Sequence, residues 1–271
     1  MAMGDKLSGQ TVLVEQRGAI EIVTLNRPDA LNALSEALVT ELADYIHGLK
    51  HRPECRVVIL RGAGRAFCAG LDIKENLGPS NETRLQRSWR VQTRLADVMR
   101  TMRAVPQPFI ALGHGAACGG GFSLMLASDV RLGAPSLRMN AAYIKIGLGG
   151  ADIGSSYFLP RLVGASLAAE LLLTGRFIHA DRALRLGLLS DVVDEDKLLD
   201  AGLALADEMV ANAPYGLALT KQALNLNIDA PSIDAALALE DRQQVMLTSS
   251  DDHLEAMTAF VEKRPPVYHG R

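Results

Sequence analysis

Residues 113–121 read Gly-His-Gly-Ala-Ala-Cys-Gly-Gly-Gly, five glycines in nine positions, and no other segment is better suited to chemistry. They follow an apolar run, Pro108–Leu112, and open an apolar helical stretch, Gly120–Ala127. Glycine permits positive φ and lets another group approach the backbone closely. A helix start adds unpaired N–H donors and the positive end of the dipole. Together these suit an anion, either a phosphate or an oxygen on which negative charge develops. Close strand-to-helix packing is the competing explanation of the same glycines. The spacing is not a dinucleotide fingerprint, because Gly113-x-Gly115-x-x-Cys118 lacks the third glycine, and no Lys-Ser/Thr follows to make a P-loop.

A second glycine-bearing loop, residues 62–74, also follows a buried-type strand. Parallel neighbours bring such loops to one carboxyl edge, where open α/β sheets bind ligands. One backbone N–H from each loop can then converge on a single oxygen. The polar residues nearby are less telling. His114 reads as a structural histidine at a strand end. Ser123 with His114 lacks the G-x-S-x-G elbow of a nucleophile–base pair. Cys68 and Cys118 read as small buried thiols. The histidines show no metal-ligand spacing with one another or with a carboxylate, so no metal is expected.

The elements that must position these loops follow from periodicity. Thr11–Gln16 and Ala19–Leu25 read as strands joined at Arg17-Gly18. Ser35 can cap a helix whose Leu38, Leu42, Tyr45, Ile46 and Leu49 share one face, and Pro53 stops it. Arg56–Leu60 and Pro108–Leu112 are apolar without alternation, as buried parallel strands are. A polar helical stretch over Asn81–Met102 lies between them, and Asp129–Leu132 is a further strand, with Asp129 read as structural. This order argues for βαβ units. From about Ala165 the pattern turns helical, with candidates at Leu198–Val210, Tyr215–Leu226, Ile233–Leu247 and Asp252–Val261. The chain divides into an α/β core over 1–195 and a helical region over 196–271.

Composition bounds the rest. The 271 residues carry a net charge of −3, 48% hydrophobic and 4% aromatic residues, so the core is aliphatic. No basic stripe calls for nucleic acid, and no polybasic tract or long apolar run calls for a membrane. Three widely spaced cysteines without a CxxC pair fit reduced thiols. The N-terminal segment has no apolar run behind a basic start, and the expectation is a cytoplasmic protein.

An ordered set of motifs runs through the chain: Leu25-Asn-Arg-Pro28 with Ala30-Leu-Asn-Ala-Leu34, Arg65 to Lys74, the triple glycine, Leu159-Pro-Arg-Leu-Val-Gly164, Leu173-Thr-Gly175, Ala183 to Leu188, and Ala259 to Arg264. Over nearly its whole length the chain resembles the crotonase (enoyl-CoA hydratase/isomerase) superfamily. The resemblance implies an α/β fold, a crotonase-type spiral of β-β-α units with a helical C-terminal region that serves oligomerisation, as a homotrimer or a dimer of trimers. It implies an acyl-CoA thioester substrate, with coenzyme A part of that substrate and no resident cofactor. The thioester oxyanion hole falls on the N–H groups of Leu71 and Gly120. Asp72, Ile73 and Lys74 match the segment that cradles CoA, with Lys74 toward phosphate, and Arg27, Ala30 and Leu31 lie in the other CoA-facing turn. Phe260 and Lys263 match C-terminal residues that reach CoA, often from a neighbouring subunit. The stretch Asn76–Arg94 and the helical region border the acyl group.

The departure lies in the acid–base groups. Hydratases of the superfamily use two glutamates, and the matching positions here are Ser123 and Tyr143, neither of which can act as a carboxylate base. The remaining carboxylate is Asp152, in Ile146-Gly-Leu-Gly-Gly-Ala-Asp-Ile-Gly-Ser155, a segment that resembles the loop carrying a catalytic Asp in dienoyl-CoA isomerases and 4-chlorobenzoyl-CoA dehalogenases. Asp152 reads either as that group or as a cap of the following turn and helix. Three functions stay open: isomerisation or hydration of an enoyl-CoA through an enolate, with isomerisation favoured on residue grounds; hydrolysis or dehalogenation through Asp152; and CoA binding without chemistry.

Overall fold

The computed structural model describes residues 10–76 and 81–271. Residues 1–9, which carry the expectation about targeting, and 77–80, inside the stretch expected to border the acyl group, lie outside the described residues. The chain opens with β1 (Val12–Arg17) and β2 (Ile20–Leu25), followed by α1 (Glu36–Gly48), β3 (Val57–Gly62), α2 (Ile73–Asn76) and α3 (Arg84–Ala104). Then come β4 (Phe109–Gly113), β5 (Ala116–Cys118), α4 (Gly120–Ala127), β6 (Val130–Gly133), β7 (Arg138–Asn140), α5 (Ser155–Val163) and α6 (Ala165–Thr174). The chain closes with β8 (Ile178–His179), α7 (Ala180–Arg185), β9 (Asp191–Val192), α8 (Leu198–Val210), α9 (Pro214–Asn227), α10 (Ile233–Thr248) and α11 (Asp251–Glu262).

The large sheet has the order β1-β2-β3-β4-β6-β9, and only the β1–β2 pair is antiparallel. A small sheet, β5-β7-β8, stands beside it. Each turn of the chain lays one strand in the large sheet, sends an extended piece toward the small one, and returns through a helix. β4–β5–α4 and β6–β7–α5 are complete turns of this kind. In earlier turns the second strand shrinks to single bridges, Cys68 to Ala117 and Leu34 to Leu71. This is the α/β spiral expected.

The lack of alternation in the central strands has a packing cause. Val58 and Leu60 of β3 enter a core shared with α1, α3 and α4, while Val57 and Ile59 face a second core closed by Leu198 and Ala206 of α8. Both faces are covered, so both residue sets are apolar. Packing therefore crosses residue 195, since α8 covers the sheet itself. The helix expected from residue 81 starts at Arg84, because Thr83 and Gln86 form a capping box. Ser35 caps α1 as expected, its Oγ accepting from the Leu38 N–H at 3.2 Å.

The helical region is tied to the core by one buried cation. Lys221 of α9 is 4% exposed, and its Nζ donates to the carbonyls of Met102 and Gln107 at 2.7 Å each and pairs with Asp129 at 3.0 Å. Asp129 also accepts from Arg103 and from the Phe109 N–H. Asp129 is thus the structural residue its position suggested.

Candidate active site

β3 and β4 run parallel, with Val58 opposite Phe109 and Arg61 opposite Leu112, so the loops after them leave the same edge. In the first loop, Leu34 bridges Leu71: the Leu34 N–H donates to Gly70 O at 2.7 Å and the Asp72 N–H donates to Leu34 O at 3.2 Å. Alternate backbone groups of an extended chain point to opposite sides. The Leu71 N–H therefore faces away from Leu34. In the second loop, Gly120 is the first residue of α4, where a helix leaves its N–H groups unpaired. Neither the Leu71 nor the Gly120 N–H has an acceptor among the described residues.

The two donors are close in space. A Cβ placed on Gly70, at φ +94°, would lie 2.7 Å from Cys118 O and 3.4 Å from the Gly120 nitrogen. The backbone just before Leu71 thus touches the backbone just before Gly120, and only a glycine fits between them. Gly121 serves packing alone: its Cβ would sit 2.2 Å from Cys68 O. The packing reading of the triple glycine therefore holds at Gly121.

Asp152 approaches the same place from the third glycine segment. The next residue, Ile153, is a buried β-branched residue at φ +34°, a conformation that costs energy and persists only where surroundings impose it. The Ile153 Cδ1 would lie 3.6 Å from a Cβ on Gly120, so this loop rests on Gly120. Oδ1 of Asp152 accepts from the Ile153 N–H at 2.8 Å and from the Gln92 side-chain amide of α3. Oδ2 has no hydrogen-bond partner among the described residues. The capping reading of Asp152 is not what forms: α5 begins after Gly154 without any side-chain cap, and Ser155 Oγ instead accepts from the Asp152 N–H at 3.0 Å.

Ser123 and Tyr143 meet. Ser123 Oγ lies 2.5 Å from Tyr143 Oη, which donates to Gly119 O at 2.7 Å, and both side chains are buried. Burial pushes the Tyr143 phenol above its usual range, against a smaller lowering by Ser123 and with a further rise from the Asp152 charge. It stays protonated at neutral pH. His114 bonds Gly64 O at 2.8 Å through Nε2 and not Ser123, so it joins the two loops as a structural histidine. Burial pushes the Cys68 thiol up to about 12 and raises that of Cys118, which leaves both as thiols.

A small cleft opens beside Leu71. Its floor is Leu34, Val39 and Val91, and its rim carries Glu36, Asp72 and Glu75 against Arg87, Arg90 and Arg94. The charges balance, so the rim favours neither sign. Arg90 bridges Glu36 and Glu82, and Glu75 accepts from the Glu36 N–H, so these carboxylates brace the helices. Arg27 donates to Asp72 at 2.9 Å and to Ala33 O at 2.5 Å. Burial opposes the Asp72 charge, but the Glu75 N–H, Arg27 and the Lys74 N–H outweigh it and hold its carboxyl below the usual range. The Asp72 side chain thus locks the two expected CoA-facing segments to each other. Ala30 closes a short 3-10 turn and Leu31 follows it at φ +50°. Ile73 and Lys74 are exposed at the start of α2 and do not line the cleft. Phe260 and Lys263 stand apart, on α11 and at its C-cap, where α11 packs chiefly on α10. Asn32, Gln92 and the basic face of α3 were missed from sequence. Asn32 is fully buried and donates to Ala63 O, Ala66 O and Phe67 O, pinning the turn to the loop after β3. The arginines at i, i+3 and i+7 were the signal for that face. Among the described residues no group of three His, Cys, Asp or Glu side chains is placed to hold a metal.

Comparison with known proteins decides what this edge belongs to. The family model described as enoyl-CoA hydratase/isomerase matches residues 15–271. The chain belongs to the enoyl-CoA hydratase/isomerase family. It is 39% identical over 264 residues to a Mycobacterium bovis protein named "Probable enoyl-CoA hydratase", covering 95% of this chain and 92% of that one. It is 31% identical to the 1,2-epoxyphenylacetyl-CoA isomerase of Escherichia coli, covering 96% and 98%. The crystal structure of an enoyl-CoA hydratase from Bacillus anthracis superposes with a TM-score of 0.91 at 33% identity, covering 97% of this chain and 100% of that one.

Relatives named as hydratases and as isomerases match at similar length, so what they share with this chain is the family and its fold. In this enoyl-CoA hydratase/isomerase family member, the positions expected to carry glutamates hold a serine and a tyrosine bonded to each other. Among the described residues no helix is long and apolar enough to cross a membrane.

Proposed function

We propose that this family member converts an acyl-CoA thioester through an enolate whose oxygen is held by the Leu71 and Gly120 N–H groups, with Asp152 moving the proton, and that double-bond isomerisation is favoured over hydration. The observation that carries this reading is the close approach of the two loop backbones at Gly70, with two N–H groups lacking acceptors. Fixed backbone donors stabilise an enolate oxygen without reorganising, each worth about 10²–10³ in rate. The proton must come to a side chain, which adds about 10²–10⁴. Asp152 has one oxygen anchored and one open, the arrangement a base needs. Ser123 and Tyr143 give no second carboxylate to activate water, which weighs against a two-glutamate addition.

Coenzyme A enters as part of the substrate, along the turn of Arg27, Ala30 and Leu31 and the segment Asp72, Ile73 and Lys74, and no resident cofactor takes part. Phe260, 82% exposed beside Val261 at 76%, leaves an apolar face uncovered in a single chain, which supports assembly into a homotrimer or a dimer of trimers. Such assembly lets Phe260 and Lys263 serve a neighbouring CoA. Turnover of 3-enoyl-CoA and 2-enoyl-CoA substrates by the wild type and by Asp152→Asn tests the reading. Isomerisation lost in Asp152→Asn is expected. Hydration at full rate, unaffected by Asp152→Asn, would sink it.

A further inference from the structure

The oxyanion hole proposed above has one donor flanked by pairing between two extended segments and one at a helix start, where the Gly119 carbonyl accepts from the Ser123 N–H. Leu71 is clamped on both sides by Leu34. Gly120 lies inside three consecutive glycines, and Gly119 sits at φ +50°, ψ −117°, where no side chain of its own limits rotation. The Gly119 carbonyl and the Gly120 N–H belong to one planar trans unit and point in opposite directions. Whatever holds the carbonyl therefore aims the N–H.

We propose that Tyr143 is the positioning residue of this hole, holding the Gly119–Gly120 peptide plane so that the Gly120 N–H faces the cleft beside that of Leu71. The proton count fixes the direction of the bonds. Tyr143 Oη is 2.7 Å from Gly119 O and 2.5 Å from Ser123 Oγ. A carbonyl accepts only, so the single phenolic proton goes to Gly119 O, and Ser123 donates to Tyr143. The Ser123 backbone N–H adds a second donor to Gly119 O at 3.0 Å. The chain runs from the Ser123 hydroxyl through Tyr143 and the Gly119 carbonyl to the Gly120 N–H, each bond polarising the next in a buried setting. The ring lies against the same unit: a Cβ on Gly119 would meet Tyr143 Cε1 at 3.5 Å. Two positions that cannot supply a carboxylate thus support the donor that remains.

The inference rests on the reading of Leu71 and Gly120 as thioester donors, and one experiment separates the two. Isotope-edited infrared spectra of [1-¹³C]butyryl-CoA, free and bound, report polarisation of the carbonyl, while kcat and KM are measured on the substrate that the wild type turns over. The bound wild-type band should fall in frequency. Tyr143→Phe should lose much of that fall and lower kcat by about tenfold with KM little changed, less than the ~10²–10³ for losing a donor outright. Ser123→Ala should lower kcat about two- to threefold, in line with ~10–30% strengthening per bond along a chain. No band shift in the wild type would defeat the oxyanion-hole reading itself. A wild-type shift kept in full by folded Tyr143→Phe, with kcat within twofold, would overturn the positioning role. If Tyr143→Phe does not fold, 3-fluorotyrosine installed at Tyr143 decides: a stronger donor of nearly the same shape should lower the band further, and an unchanged band overturns the proposal.

Discussion

Gly70→Ala is the perturbation whose consequence can be worked furthest from the structure. The added Cβ would lie 2.7 Å from Cys118 O, where ordinary contact begins near 3.4 Å, so the two loops must part by about 0.7 Å. The obstacle is backbone, which cannot swing aside as a side-chain tip does. Positive φ adds about 1–2 kcal/mol of strain for a residue with a Cβ. Gly187→Ala supplies the control, because Gly187 has φ +73° and nothing within 4 Å of its Cβ, so it carries the strain without the clash. Misplacing reacting groups by about 1 Å costs about 10² in rate. Gly70→Ala should therefore lower kcat about 100-fold with KM within about threefold, while Gly187→Ala keeps kcat and loses about 1–2 kcal/mol of stability. Steady-state kinetics on enoyl-CoA substrates, beside thermal melts, read both. Folded Gly70→Ala with kcat within threefold of wild type would refute the argument that the hole depends on this contact.

Two further outcomes follow from the packing. Lys221→Met should destabilise by about 2–4 kcal/mol, because it leaves two buried carbonyls and Asp129 short of a donor, though Arg103 and the Phe109 N–H still serve Asp129; a melting temperature within 2 °C of wild type would contradict this. The Asp72 carboxyl titrates below its ordinary range in the folded state, so the unfolded chain binds its proton more readily, and its contribution is present above about pH 4 and lost as pH falls through the folded value. Asp72→Asn should thus cost about 1–2 kcal/mol at pH 7 and progressively less as pH falls below about 4 in denaturant titrations; a cost that does not fall with pH would show that the charge is not what matters.

Much of this was legible in the sequence because it depends on local signals. Apolar runs without alternation marked β3 and β4, Ser35 marked the start of α1, and three clusters of glycine marked the three loops that meet. What escaped depends on long-range pairing. β5, β7, β8 and β9 have two or three residues each, too few to show a period, and exist only through their partners. Pro160 lies inside α5, where packing against α4 and α6 holds the helix around it. The Ser123–Tyr143 and Gln92–Asp152 bonds join residues twenty and sixty positions apart. The resemblance singled out Ser123 and Tyr143 where glutamates were expected, and only the fold shows that the two bond to each other and that Tyr143 bonds Gly119.

The central claim is that an enolate forms between Leu71, Gly120 and Asp152. Deuterium wash-in at the α-carbon of butyryl-CoA in D₂O, followed by NMR, measures that step whatever reaction completes it. The account predicts enzyme-dependent exchange that Asp152→Asn reduces by at least about 10², the lower range for a lost acid–base group. Exchange at the wild-type rate in Asp152→Asn, or none in the wild type, would contradict it.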